Sequence, residues 1–202
     1  MASDGYLAKP SGECCLRGTL HSGEARGTFE SVADVETYVS KPWPAKANGH
    51  ILLYFPDVWG MFPNGLLVMD GFADAGYLTL GLDYFRGDPV WKHRKNRHDR
   101  SDPTFDYEAW KSKHMAFADA TVPRWVDAVK AQYGSAGTKY VCVGYCFGAP
   151  YVCDELAGDT VTAGAFAHPA FLKEKHFIQI KSWVKEQSLR GIVEWFDLWL
   201  SQ

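Results

Sequence analysis

Long apolar runs are missing from this 202-residue sequence. The longest one, residues 51–56 (ILLYFP), is far shorter than the roughly 20 residues that a helix needs to cross a bilayer. The first residues (MASDGYLAKPSGECC) are polar and contain no apolar core of a secretory signal. We therefore expect a cytoplasmic protein that does not enter a membrane.

An excess of positive charge is missing as well. The chain has 21 Lys and Arg residues against 24 Asp and Glu, which gives a formal net charge of −3. Nucleic acids and anionic membranes select a basic face, so we expect neither as a partner. With 47% hydrophobic and 22% charged residues, the composition is that of a globular protein. The length suits a single domain, predicted at residues 26–202 after an irregular segment at residues 1–25.

The five cysteines are an odd number without repeating spacing, so no disulfide framework is predicted. Reduced thiols in the cytosol are the simplest interpretation. The patterns C-x-x-C and H-E-x-x-H are absent, so we expect neither a metal site nor a cofactor. Other thiols and histidines are interpreted as packed, unpaired or solvated side chains: Cys142, Cys153, the Cys14–Cys15 pair, His93 and His98.

Strand and helix patterns alternate along the chain, which is typical of an α/β fold with a mainly parallel sheet flanked by helices. Ligands bind such sheets at the carboxyl ends of the strands. One helix is expected to begin at a Thr121 cap, with Pro123 in its first turn. Predicted strands cover residues 35–39, 50–55, 77–82, 138–144 and 160–167, and predicted helices cover residues 65–75, 105–114, 121–132 and 183–200.

The most specific motif is Gly144-Tyr145-Cys146-Phe147-Gly148, a G-x-C-x-G form of the nucleophile elbow. An apolar strand precedes it and a helical segment follows it, which is the context that this motif requires. The glycines allow a turn so tight that Cys146 projects above the sheet, and the N-terminus of the helix favours the thiolate. Cys146 is therefore the predicted nucleophile, and a merely buried small residue in a tight turn is the alternative.

A second loop, residues 56–60 (PDVWG), follows the strand at residues 50–55. In α/β-hydrolases an early loop supplies one backbone N–H to the oxyanion hole, and the residue after the nucleophile supplies the other. These donors would be Val58 and Phe147. Asp57 in the same loop is either a member of the site or an ordinary turn cap.

Together with LDYFRGD at residues 82–88, these motifs resemble the dienelactone hydrolase family, particularly its fungal members. The resemblance implies an α/β-hydrolase fold and an enzyme that opens lactones or cleaves small esters through an acyl-cysteine, without a cofactor. It implies that Asp57 stands where the family keeps an acidic residue near the thiol. It also implies that Arg86 binds a substrate carboxylate, with Tyr84 and Trp59 as further substrate contacts. A surface charge is the alternative for Arg86.

The sequence departs from the family after the nucleophile. The chain order in α/β-hydrolases is nucleophile, acid, histidine, and only His168 and His176 follow Cys146. Residues 177–181 lead almost directly into residues 182–186, which resemble the family's final helix. Roughly forty residues with two strands, the acid and the histidine are therefore expected to be absent. His168, directly after a predicted strand, is a candidate substitute base or an ordinary polar residue.

Three classes of function follow from this reading. The first is a thiol hydrolase by descent whose activity is doubtful in this form. The second is a non-catalytic variant that binds small acids or partners through the same pocket and the exposed sheet edge. The third is a thiol redox protein that uses Cys146 with Cys142 or Cys153 as the resolving partner. Loss of two strands would bare an apolar sheet edge beside residues 160–167, so self-association through that edge is expected.

Overall fold

The computed structural model describes residues 22–96 and 99–181, which form six strands and four helices. The predicted helix at residues 183–200, His98 and the Cys14–Cys15 pair lie outside the described residues, as do residues 1–21 of the predicted irregular segment. The strands are β1 (Thr28–Val32), β2 (Val35–Ser40), β3 (Ile51–Phe55), β4 (Leu78–Leu82), β5 (Tyr140–Tyr145) and β6 (Val161–Ala167), and the helices are α1 (Pro63–Asp74), α2 (Tyr107–Tyr133), α3 (Ala149–Ala157) and α4 (Glu174–Gln179).

The strands form one sheet in the order β1-β2-β4-β3-β5-β6. Strands β4, β3, β5 and β6 run parallel to one another, whereas β1 and β2 are antiparallel additions at one side. The predicted α/β class with a mainly parallel sheet flanked by helices is confirmed. Because β3 lies between β4 and β5, its carboxyl end occupies the centre of the edge where ligands bind in such sheets.

Helices cover both faces of the central strands. Strand β3 is buried along its whole length, as the uninterrupted apolar run predicts. Its side chains alternate between two apolar clusters, and each fully buried Leu or Phe contributes about 1.5–3 kcal/mol. Leu53 and Phe55 face α2 and α3, whereas Leu52 and Tyr54 face α1. The loop after β3 therefore starts from a firmly packed strand.

The β1–β2 hairpin was not predicted by the sequence. Its turn residues Ala33 and Asp34 have φ angles of 51° and 62°, and Val32 pairs with Val35 across the turn. Two-residue turns with positive φ usually carry Asn-Gly or a similar pair, so Ala-Asp gives little signal. The hairpin places β2 beside β4.

The two helices predicted at residues 105–114 and 121–132 are one continuous helix, α2. It begins after Asp106, whose carboxylate accepts hydrogen bonds from two backbone N–H groups. The predicted Thr121 cap is wrong, because Thr121 is buried within the helix and Pro123 lies near the helix centre. A proline there costs about 3 kcal/mol, and burial of the flanking apolar side chains offsets that cost. These side chains are Val122, Trp125, Val126 and Val129.

Strand β6 forms the outer side of the sheet within the described part of the chain. Its residues Ala163, Ala165 and Ala167 are exposed, whereas Val161 is buried. An exposed, apolar strand at this position agrees with the edge that the sequence predicts beside residues 160–167. The expected absence of two further strands stays a prediction.

Candidate active site

Strand register brings Asp57, Cys146 and His168 to the same edge of the sheet. Phe55 pairs with Gly144 between β3 and β5, and Tyr145 pairs with Ala167 between β5 and β6. Asp57, Cys146 and His168 each follow the carboxyl end of one of these strands, and β5, which leads to Cys146, lies between the other two. Neighbouring strands lie about 4.8 Å apart, so the three residues follow one another across the carboxyl ends of three parallel strands.

Cys146 occupies a strained turn between β5 and α3. Its φ of 49° lies in the left-handed region, and a short 3₁₀ turn at Cys146–Gly148 leads directly into the helix. The Cys146 carbonyl accepts a hydrogen bond from the Ala170 N–H (3.0 Å). A non-glycine residue held in this conformation is the geometry that a nucleophile elbow requires.

The thiol of Cys146 is less accessible than the sequence predicts. The residue is only 7% exposed, because the Ala170 turn and the aromatic cluster around Phe147 close over the elbow. Cys142 and Cys153 are buried as expected, at 2% and 0% exposure. Burial raises the pKa of the Cys153 thiol to about 12 and also raises the pKa of Cys142. Neither therefore forms a thiolate readily near neutral pH.

Asp57 is a turn cap and a perturbed acid at once. Its carboxylate accepts a hydrogen bond from the Trp59 N–H (2.8 Å), and its carbonyl accepts one from the Gly60 N–H (2.9 Å). Burial raises the pKa of Asp57 to about 6, although the Trp59 hydrogen bond opposes that shift. A carboxyl group that titrates near 6 is ionised at neutral pH and is a stronger base than an ordinary aspartate.

Tyr84 lies in the core beneath the loop that contains Asp57, and its role as a substrate contact stays a prediction. The residue is fully buried, its hydroxyl donates to the carbonyl of Pro56, and its ring packs 5.1 Å from that of Phe147. Burial raises the pKa of Tyr84, and Asp57 and Cys146 are among the negative charges that add to the shift. Both groups therefore lie near the Tyr84 hydroxyl.

Arg86 lies after the end of β4, and its role in binding a substrate carboxylate stays a prediction. It is exposed, and its guanidinium lies over the Phe117 ring at 4.6 Å from the centroid. It lines a separate cavity with Glu36 and Asp83 near the β1–β2 turn. The backbone of Arg86 has a positive φ of 53°, and its guanidinium packs against Phe117 on α2.

Aromatic side chains line the rim beyond Asp57. Trp59 is partly buried and lies 6.2 Å from Phe62, which in turn lies 6.3 Å from Trp91. Trp91 is 41% exposed. The position of Trp59 suits a substrate contact, and Trp91 extends the same rim from residues 88–104, a long excursion between β4 and α2.

The excursion at residues 88–104 contacts the loop at residues 56–60, which contains Val58. The Val90 N–H donates to the Val58 carbonyl (3.0 Å), and Val90 is buried. His93 is not the solvated side chain that was predicted, because its Nε2 lies 2.6 Å from Asp88 Oδ1 and its ring stacks on Phe105 at 4.2 Å. The mixed charges of this segment obscured these contacts in the sequence.

His168 stands beside the elbow, and no acid among the described residues orients it. Its φ is 37°, and its ring lies 5.9 Å from that of Tyr145. Nδ1 is buried and has no hydrogen-bond partner among residues 22–96 and 99–181. Burial lowers the pKa of His168, so the imidazole is neutral near pH 7.

Within the described ranges, no group of three or more His, Cys, Asp or Glu side chains is arranged to hold a metal ion. In the same part of the chain, no helix combines the length and the apolar character needed to cross a membrane.

Comparison with known proteins decides the family. A sequence profile of the dienelactone hydrolase family matches residues 35–185. This chain belongs to the dienelactone hydrolase family. The match includes both PDVWG and GYCFG, the two loops that the sheet brings together, and it identifies the chain as a family hydrolase.

Two fungal relatives extend the match over nearly the whole chain. Dienlactone hydrolase 2 of Gibberella moniliformis is 40% identical over 234 residues, which cover 98% of this chain and 99% of that protein. Dienlactone hydrolase 1 of the same organism is 35% identical over 258 residues, covering 99% and 98%. Since 98% of 202 residues is about 198, the 234-residue alignment holds about 36 positions without a counterpart here.

Solved structures support the fold. The chain resembles a putative dienelactone hydrolase from Klebsiella pneumoniae with a TM-score of 0.56 and 15% sequence identity. The likeness covers 74% of this chain and 62% of that one. At this identity it bears on the fold alone.

The elbow generates a stability prediction. A Cβ at Gly148 would lie 2.2 Å from the Phe55 carbonyl oxygen, so we expect Gly148→Ala to destabilise the protein by about 2–3 kcal/mol in urea unfolding. Gly71→Ala is the matched control, because Gly71 is exposed in α1 and has nothing within 4 Å of an added Cβ. It should stabilise by about 0.5–1 kcal/mol. Equal stability of the Gly148 variant and the wild type would contradict the elbow geometry.

Proposed function

We propose that this chain cleaves small esters or lactones by forming an acyl-cysteine at Cys146, which it then hydrolyses slowly. The observation that carries the proposal is the left-handed turn at Cys146, flanked in register by Asp57 and His168. The names of the two fungal relatives support a lactone or ester as the substrate class. A reduced, cytoplasmic setting would keep the thiol available.

In the acylation step, the Asp57 carboxylate takes the thiol proton and the Cys146 thiolate attacks the substrate carbonyl. The carbonyl oxygen becomes an oxyanion, which accepts hydrogen bonds from the backbone N–H groups of Val58 and Phe147. Collapse breaks the ester C–O bond, and the departing oxygen takes the proton from Asp57. Trp59 contacts the apolar part of the substrate on the rim.

Deacylation is the slower of the two steps. Water must lose a proton as it attacks the thioester, and His168 is the described histidine that stands beside the elbow. Its neutral imidazole can accept a proton, but no carboxylate among the described residues orients Nδ1. A base without an orienting acid transfers protons inefficiently, so the acyl-enzyme accumulates.

Burst kinetics test the proposal. With p-nitrophenyl acetate we expect a burst approaching one equivalent of p-nitrophenol per chain, followed by a steady rate at least ~100-fold slower. Cys146→Ala should abolish the burst, and Cys153→Ala, which removes a buried thiol on α3, should keep it. A chain that binds small acids but shows no burst would favour the non-catalytic alternative. A steady rate as fast as the burst would show that a complete set of acid and base is present.

The pKa of Asp57 generates a pH prediction. Acylation should rise as pH passes about 6, because the ionised carboxylate is the active form. Asp57→Asn keeps an oxygen that accepts the Trp59 N–H hydrogen bond but cannot act as the base. The acylation rate at pH 7 should therefore fall about 100-fold, and it should no longer rise as pH passes about 6. Asp34→Asn, at the exposed hairpin turn, should change neither. An unchanged pH profile in the Asp57→Asn variant would remove Asp57 from the mechanism.

The same substitution should change stability with the opposite sign. The folded pKa of about 6 lies above the ordinary value of 3.8, so the folded state loses stability as pH rises between these values. The neutral variant avoids that loss. It should match the wild type below pH 4 and be more stable above pH 6, by on the order of 1–3 kcal/mol.

Self-association through the outer edge of β6 is part of the proposal, with a second copy of this chain as the partner. An exposed strand beside Ala163 and Ala165 is a template for pairing. Sedimentation should find a dimer or larger species that the double substitution Ala163→Lys and Ala165→Lys dissociates. Ala131→Lys, on the exposed face of α2, is the control and should not dissociate it. A monomeric wild type would refute the association.

A further inference from the structure

Asp88 connects helix α2 to the excursion that follows β4. Its Oδ1 lies 2.6 Å from His93 Nε2, and its Oδ2 lies 3.2 Å from both Lys113 Nζ and His114 Nε2. Partial burial alone would raise the pKa of Asp88, but the hydrogen bonds from His93, Lys113 and His114 outweigh it and lower the pKa to about 2. The carboxylate is therefore charged over the whole working pH range.

The backbone of Asp88 is fixed as well. Its carbonyl accepts a hydrogen bond from Trp110 Nε1 (2.8 Å), and its N–H donates to the Phe85 carbonyl (3.0 Å). Trp110 is 5% exposed and His114 is fully buried, so both partners on α2 are held by the core. Three residues of α2 thus form hydrogen bonds with Asp88: Trp110, Lys113 and His114.

The two residues after Asp88 contact the loop that carries the proposed oxyanion donor. Pro89 is buried beside Gly60, where an added Cβ would lie 3.2 Å from the Pro89 Cβ. The Val90 N–H donates to the Val58 carbonyl. Val58 is thereby linked to α2 through a chain of only two residues beyond Asp88.

We propose that Asp88 is a positioning residue for the reaction, which fixes the Val58 backbone N–H where the substrate oxyanion forms. The inference rests on the proposed function. Oxyanion donors act only at a defined distance and angle, so a small displacement of the Val58 peptide weakens them. A merely structural aspartate would affect every property of the site equally, whereas a positioning aspartate affects the oxyanion step selectively.

Two reactions of Cys146 separate these roles. Acylation by p-nitrophenyl acetate passes through an oxyanion, whereas alkylation by iodoacetamide displaces iodide without one, and both need the thiolate. Asp88→Asn retains the size of the side chain but not its charge, so the hydrogen bonds from His93 and Lys113 to this side chain weaken. We expect acylation to slow about 10-fold while alkylation stays within about 2-fold of the wild type.

Hydrogen exchange supplies a readout that does not depend on activity. In Asp88→Asn the amides of Trp59, Gly60 and Val90 should exchange faster, and those of β3 should not change. Asp99→Asn is the control, because Asp99 caps the N–H groups of Lys95 and Ser101 in the same excursion. This control should leave exchange at Trp59, Gly60 and Val90 unchanged, and likewise acylation and alkylation of Cys146.

The outcomes are distinct. Unchanged exchange at Trp59, Gly60 and Val90 would overturn the inference, and so would acylation and alkylation that fall together. Failure of p-nitrophenyl acetate to acylate the wild type would refute the proposed function alone. In that case faster exchange in Asp88→Asn would still support Asp88 as the residue that holds the Val58 loop.

Discussion

The approach of Gly148 to the carbonyl of Phe55 is the contact on which the candidate site depends. Since an alanine Cβ would lie 2.2 Å from that oxygen, only glycine lets α3 begin directly against the end of β3. This contact brings the left-handed turn at Cys146 beside the Asp57 loop. The hydrogen bond from Tyr84 to the Pro56 carbonyl then holds that loop from below. A tight turn and a missing Cβ bring the elbow against the end of β3, and the buried phenol of Tyr84 fixes the loop that carries Asp57.

Five of the six described strands were predictable because their signals are local. The apolar run of β3, the alternation of β2 and the glycine at position 76, which ends α1 with a φ of 106°, each determine their own element. The sequence-based predictions failed at two places. Helix α2 continues past Pro123 because Trp125 and Val126 are buried in the core, and the β1–β2 turn forms without glycine.

The candidate site divides in the same way. Cys146 and the loop at residues 56–60 were predictable because their motifs require a strand before the loop, and the structure has these strands. The side chains around them were not. Tyr84 and Arg86 are near neighbours in sequence, yet one lies in the core and the other faces Phe117 on α2. Backbone φ and packing partners decide such directions, and neither is visible in a motif.

The choice of nucleophile decides how much chemistry survives without an oriented base. A free thiol has a pKa of about 8.5, so forming the thiolate at pH 7 costs only about 2 kcal/mol. Water has a pKa near 15.7, and forming hydroxide at the same pH costs about 12 kcal/mol. Loss of the oriented acid and histidine therefore impairs attack by water far more than attack by Cys146. With a serine in the same elbow, acylation and deacylation would both be slow, because a hydroxyl is a weak nucleophile without a base. On the function proposed above, a cysteine nucleophile would therefore still accept an acyl group and release it slowly without an oriented base.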